Sequence, residues 1–156
     1  MLQRIQTLYL LLVGIFAILL IFLPLGSFSS EEVRVSLGIL GLGYAPGFPG
    51  ELPGHWQAFV LLALVLVILV LTFYTIFQYK RRRYQIQLGK FNTLLHMGLI
   101  VTAFLFIDQL SGSLTSGTFR YGAGIFLPLV SMVLILLANR AIKKDDELVR
   151  SADRIR

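Results

Sequence analysis

Asn92 and His96 stand four residues apart inside an apolar run, so on a helix they share one face. A histidine in that setting can relay protons, ligate a haem or a metal, or contact a quinone. An ionisable group within a membrane is a functional candidate by default. Its surroundings favour a plainer role. The chain has no cysteine, and its only other histidine, His55, is expected on the opposite side of the membrane. No His-x-x-His pair or neighbouring acid completes a ligand set, and a bis-histidine haem within one chain is excluded by that placement. The favoured reading is a neutral His96 that serves as one interhelical hydrogen-bond partner among several. Thr7, Thr75, Gln78, Asn92 and Asn139 are expected at similar depth, forming with His96 an intramembrane polar layer near the cytoplasmic face. Polar groups facing lipid are costly, so these side chains should point inward and bond across helices.

Asp108 and Arg120 form a second candidate. Asp108 lies at the end of an apolar run, where an unpaired carboxylate is expensive, and Arg120 is the nearest basic residue in sequence. An outer gate or ion site is the functional reading. A structural ion pair pinning a helical hairpin is preferred. The third candidate is Lys80, Arg81, Arg82 and Arg83. Such a cluster beside a span sets topology and attracts anionic lipid headgroups. It does not imply nucleic acid, because no aromatic stacking groove accompanies it. Gly38, Gly41 and Gly43 have neither the spacing nor the flanking elements of a phosphate loop. Gly124 and Pro128 read as packing first and a kink second. No nucleophile with its base is present, and no cofactor or metal is implied. The chain is therefore read as no enzyme.

The elements that must position these groups follow from hydropathy. Of 156 residues, 56% are hydrophobic and only 14% charged, with a mean hydropathy of +0.80. A soluble domain carries roughly 25% charged residues. The apolar residues gather into four runs, about 5–25, 56–79, 91–110 and 121–141, each long enough to cross a bilayer as a helix. The first run is too long for a signal peptide and lacks a small-residue cleavage site. Residues 26–55 read as an outer loop, since six glycines and three prolines crowd Gly38 to Gly54. Within it, Val33, Val35 and Leu37 alternate with Arg34 and Ser36 as a short strand would. Residues 80–90 read as a cytoplasmic loop. Residues 142–156 read as a helical tail, supported by the four-residue spacings of Lys143 with Glu147 and Asp146 with Arg150. The fold class is thus an all-α, four-transmembrane-helix bundle with a cytoplasmic helical C-terminal tail, one membrane domain throughout.

Orientation comes from the basic residues. With the N-terminus inside, twelve of the fourteen Lys and Arg residues are cytoplasmic, and only Arg34 and Arg120 lie outside. The positive-inside rule therefore places both termini and the middle loop in the cytoplasm.

Met1-Leu2-Gln3-Arg4-Ile5-Gln6-Thr7-Leu8-Tyr9-Leu10 opens the chain. Tyr121-Gly122-Ala123-Gly124, Phe126-Leu127-Pro128-Leu129 and Leu137-Ala138-Asn139-Arg140-Ala141-Ile142-Lys143-Lys144-Asp145 follow near its end, and Leu148 to Arg156 closes it. Together these resemble a small four-span bacterial integral membrane protein family catalogued as a domain of unknown function, DUF4293. The resemblance covers the whole chain, implies four spans and supplies no activity. The expectation is a non-enzymatic accessory subunit or assembly factor in the bacterial inner membrane. Its partners would be the lipid bilayer and another membrane protein or further copies of itself. The alternative is a small oligomeric transporter or channel; a lipid-modifying enzyme lacks a catalytic set.

Overall fold

The computed structural model describes residues 2–29, 34–44, 55–79, 81–113 and 117–153. Four long helices carry the chain: α1 (Leu2–Phe22), α2 (His55–Phe77), α3 (Arg82–Ser113) and α4 (Phe126–Asp153). Each is long and apolar enough to cross a membrane. Each packs against its neighbours in sequence, and α4 closes the ring against α1. This is the up-and-down arrangement that short connections favour. Ala17 and Leu20 of α1, Leu61, Val65 and Ile68 of α2, and Leu99, Ala103 and Phe106 of α3 meet in one apolar core. Ile135 and Ala138 of α4 are buried as well. Only 28% of the α2 span and 33% of each other span lie inside the bundle. The rest is outward-facing, with Phe59, Val70, Phe77, Leu94, Leu105 and Val133 exposed, a surface that hydrocarbon tolerates and water does not.

Two helices extend beyond their apolar runs. α3 begins at Arg82, so the loop expected over residues 80–90 shrinks to a turn. The Gln78 N–H donates to the Thr75 carbonyl at 3.2 Å, and the Arg81 N–H to the Gln78 carbonyl at 2.9 Å. Arg, Gln and Leu are good helix formers. Loss of hydropathy after residue 79 therefore ends a span without keeping the next helix from starting. α4 likewise runs unbroken to Asp153, carrying the tail as helix. It starts from a 3-10 turn, Ala123–Ile125. Pro128 thus sits in the first turn of α4, where a backbone N–H has no helical partner, and it starts the helix rather than kinking it.

Where it is described, the segment expected as an outer loop is mostly strand, so the fold is not all-α as expected but four helices with a small sheet. Strands β1 (Gly26–Ser29), β2 (Arg34–Gly38), β3 (Gly41–Tyr44) and β4 (Thr118–Tyr121) form one antiparallel sheet in the order β3-β2-β1-β4. Phe28 lies opposite Val35 on one side and Phe119 on the other. Leu25, Phe28, Val35, Leu37 and Ile39 are all buried, whereas Ser36 is exposed. Leu25, Leu37 and Ile39 join the core formed by Leu20, Ala58, Phe106 and Ile125 at one end of the bundle. The alternation at Val35 and Leu37 therefore reflects a face packed on helix ends. The crowded stretch 45–54 lies outside the described residues.

The exit of α1 and the entry to α4 are clasped together at this end. The Gly122 N–H donates to the Leu25 carbonyl at 2.8 Å, and the Gly124 N–H to the Pro24 carbonyl at 3.1 Å. A Cβ on Gly124 would stand 2.7 Å from the Pro24 oxygen and 3.0 Å from the Leu23 oxygen, and one on Gly122 would also collide with Pro24. The two glycines are there because backbone meets backbone.

Candidate functional site

The short connection from Phe77 to Arg82 makes α2 and α3 an antiparallel hairpin, which brings polar residues of the two helices to common depth. Gln85, Asn92 and His96 are spaced seven and four apart on α3 and are all buried. Thr72 and Thr75 are the buried hydroxyl residues of α2. The Asn92 Nδ2 group donates to Thr72 Oγ1 at 2.8 Å, and the Gln85 Nε2 group donates to the Thr75 carbonyl at 3.1 Å. Each threonine hydroxyl in turn donates back to its own helix, Thr72 to the Ile68 carbonyl and Thr75 to the Leu71 carbonyl, both at 2.7 Å. The Thr72 oxygen is thus donor and acceptor at once, and the bond to Asn92 crosses between helices.

His96 is 2% exposed. Its Nδ1 lies 2.9 Å from the Asn92 carbonyl oxygen. A carbonyl can only accept, so the proton is assigned to Nδ1 and Nε2 is left as an acceptor. The side chain does not turn toward Thr75 or Gln78, the neighbours expected from sequence. It borders instead a cavity of about 10 Å³ shared with Phe16 of α1, Ile68 of α2 and Ser131 of α4. That is space for about one water molecule. Among the described residues no group of three or more His, Asp or Glu side chains could hold a metal ion.

The other residues expected in the layer are placed differently. Gln78 is half-buried in the turn. Thr7 is exposed, and among the described side chains of α1 the buried polar residue is its neighbour Gln6. Asn139 of α4 is half-buried and lies over Gly89 of α3, where a Cβ would collide with its amide. Gln57 and Gln109 form a further polar contact at the sheet end of the bundle, side chain to side chain. Asn92 Oδ1, Gln57 Oε1 and Gln6 Nε2 are buried without a hydrogen-bond partner among the described residues.

The expected ion pair between Asp108 and Arg120 is not formed. Both residues are exposed, and among the described residues neither takes part in an ion pair of the kind seen at Arg82–Asp145 and Lys143–Glu147. The cause is the sheet: Arg120 sits in β4 opposite Ser27 of β1, so strand register decides where it points. Of the basic cluster, Lys80 lies outside the described residues, and Arg81 and Arg83 are exposed. Arg82 is drawn in. Its Nη2 lies 3.1 Å from Asp145 Oδ2, and its Nη1 donates to the Asp145 carbonyl at 3.2 Å. The side chain of Lys143 reaches Glu147 at 3.9 Å as its spacing suggested; the Arg150 side chain lies outside the described residues.

No curated protein matches the chain. The family model for the domain of unknown function DUF4293 matches residues 2–155. That match spans the four membrane-length helices, the sheet and the polar hairpin together, and the chain belongs to this family.

Proposed function

We propose that this is a non-enzymatic accessory subunit or assembly factor of a larger complex in the bacterial inner membrane, with both termini and the α2–α3 turn in the cytoplasm. The orientation rests on the twelve-to-two distribution of basic residues, which puts the sheet on the outer side. The observation that carries the functional reading is the packing on the sheet side of His96. Leu99, Ala103 and Phe106 of α3, with Leu61 and Val65 of α2, fill the bundle there with apolar side chains. A translocation route within one copy needs polar lining and water at that level. A partner is suggested by the far end of α4, where Leu148 and Val149 are both exposed beyond the Arg82–Asp145 contact.

The test is chemical cross-linking in native membranes through a photoreactive residue at Leu148, followed by native electrophoresis in mild detergent. A stoichiometric cross-link to another membrane protein is expected. Cross-links to copies of this chain alone, together with ion or solute flux in reconstituted vesicles, would overturn the reading in favour of a small oligomeric transporter or channel.

A further inference from the structure

At the end of the bundle away from the sheet, α3 and α4 leave a groove of about 580 Å³ between them. Lys90 of α3 and Arg140 and Lys143 of α4 line it. Gly89 packs against Asn139, which sets Lys90 and Arg140, the next residue on each helix, at about the same level. Both cations are exposed, and neither has an acidic partner among the described residues. The third cation, Lys143, is engaged by Glu147. Asp146 and Glu147 also border the groove, but about 9 Å further out along α4 at 1.5 Å per residue.

Toward the middle of the bundle the surface beyond the groove is apolar. Four and seven residues inward from Lys90 are Leu94 and Met97, and four and seven inward from Arg140 are Leu136 and Val133. All four are at least half exposed. The helical repeat places each pair on the same stripe as its cation. One outward-facing apolar stripe on each helix therefore runs from the cation pair toward the middle of the bundle, and Leu136 joins the α4 stripe to the groove itself. A free phosphate would use only the first part. A diacyl chain with an anionic phosphodiester uses both.

We propose that the α3–α4 groove is a binding site for an anionic phospholipid, with its phosphodiester between Lys90 and Arg140 and an acyl chain along Leu136 and Leu94. The site is separate from the Arg81–Arg83 cluster and does not depend on the assembly role proposed above. Lysine and arginine attract anionic lipid from the surface generally. This pair differs in having an apolar track directly beneath it, so it should retain a lipid and not merely concentrate one.

The test is native mass spectrometry of the full chain, released from detergent with phosphatidylglycerol, phosphatidylcholine or inorganic phosphate as defined probes. One retained phosphatidylglycerol is expected, favoured over phosphatidylcholine, with no retained phosphate. Lys90→Gln or Arg140→Gln should each weaken retention about fivefold, the effect of losing one surface cation. Arg81→Gln with Arg83→Gln should leave the retained lipid in place. The exchanged pair Lys90→Arg with Arg140→Lys keeps the charges and should keep the lipid, which separates loss of the site from loss of the fold. Equal retention of both lipids, retention of phosphate alone, or an undiminished preference in the two Gln variants would overturn the proposal.

Discussion

Arg82 and Asp145 hold the root of the C-terminal tail to the start of α3 by two contacts, guanidinium to carboxylate and guanidinium to main-chain carbonyl. The two side chains retain only 22% and 15% of their exposure, so solvent screens the pair less than it screens a surface salt bridge. The helix beyond the last span is therefore a braced extension and not a loose appendage.

Arg82→Ala should destabilise the bundle by about 1–2 kcal/mol, between the values for exposed and fully buried pairs. Asp145→Ala should cost about the same, and the double change less than the sum. Thermal melts in detergent give the energies. Hydrogen exchange gives the location: amides over residues 145–153 should exchange faster in Arg82→Ala while those of α1 and α2 do not. Uniform acceleration would mean that the contact is not a local brace.

Thr72 and Asn92 should show a coupling energy. Thr72→Val keeps the volume but leaves the buried Asn92 amide without its acceptor, at a cost of about 1–3 kcal/mol. Asn92→Leu removes both the donor and its unpartnered oxygen and should be the milder change. The double variant should reveal about 0.6 kcal/mol of interaction, the usual size between membrane helices. Strict additivity in unfolding measurements would show that the bond is not maintained.

His96→Gln tests whether the imidazole is a structural group. A carboxamide can still donate a hydrogen bond within the helix, so a loss of about 1 kcal/mol or less is expected. Cells carrying the variant should resemble cells carrying the parent protein. A stable His96→Gln protein that reproduces the deletion phenotype would show that proton transfer or ligation at this ring matters.

Gly124→Ala should be costly despite its small size. The added carbon would stand 2.7 Å from the Pro24 oxygen, and relief requires breaking the Gly124–Pro24 hydrogen bond. A loss of about 1–3 kcal/mol is expected from overpacking. Gly98→Ala, where nothing lies within 4 Å, is the control and should not destabilise. Equal melting temperatures for the two variants would contradict the clasp.

Orientation is tested by reporters fused after Arg83, at Arg156 and near Gly47. The first two should report cytoplasm and the third the outer side. An outer-side signal after Arg83 would invert the map.

The four spans were legible because long apolar runs are what a bilayer requires of a helix. The helix starts were not. Hydropathy marks where lipid ends, and Arg82 to Gln87 is helical in spite of being polar, so hydropathy alone assigns Gln85 to a loop. Asn92 and His96 could be set on one face from spacing alone. Their partners could not, because α1 and α2 are apolar nearly all round and give no rotational phase. That is why Thr7 was expected inward where Gln6 is, and Gln78 was expected as a partner where Thr72 is. The pairing of Arg82 with Asp145 joins residues 63 apart, and sequence offered Arg82 only as a topology signal. The sheet was hidden for a related reason. Its strands are four or five residues long, and two of them begin with glycine.

Strand order also sets a timetable for making this protein. β1 is synthesised immediately after the first span, and the hairpin of β2 and β3 follows directly, so three strands can associate while the second span is still being made. The remaining edge of β1 belongs to β4, whose residues 118–121 lie between the third and fourth spans. That edge must stay open until two more helices have entered the membrane, and an open edge invites pairing with any other extended chain nearby. The sheet closes only when the last connection has crossed, at which point the Gly122 and Gly124 contacts to Leu25 and Pro24 form with it. Completion of the sheet thus reports that the third span has been passed and the connection to the fourth has reached β1, and a ribosome stalled before residue 118 would leave the nascent protein with its β1 edge unguarded.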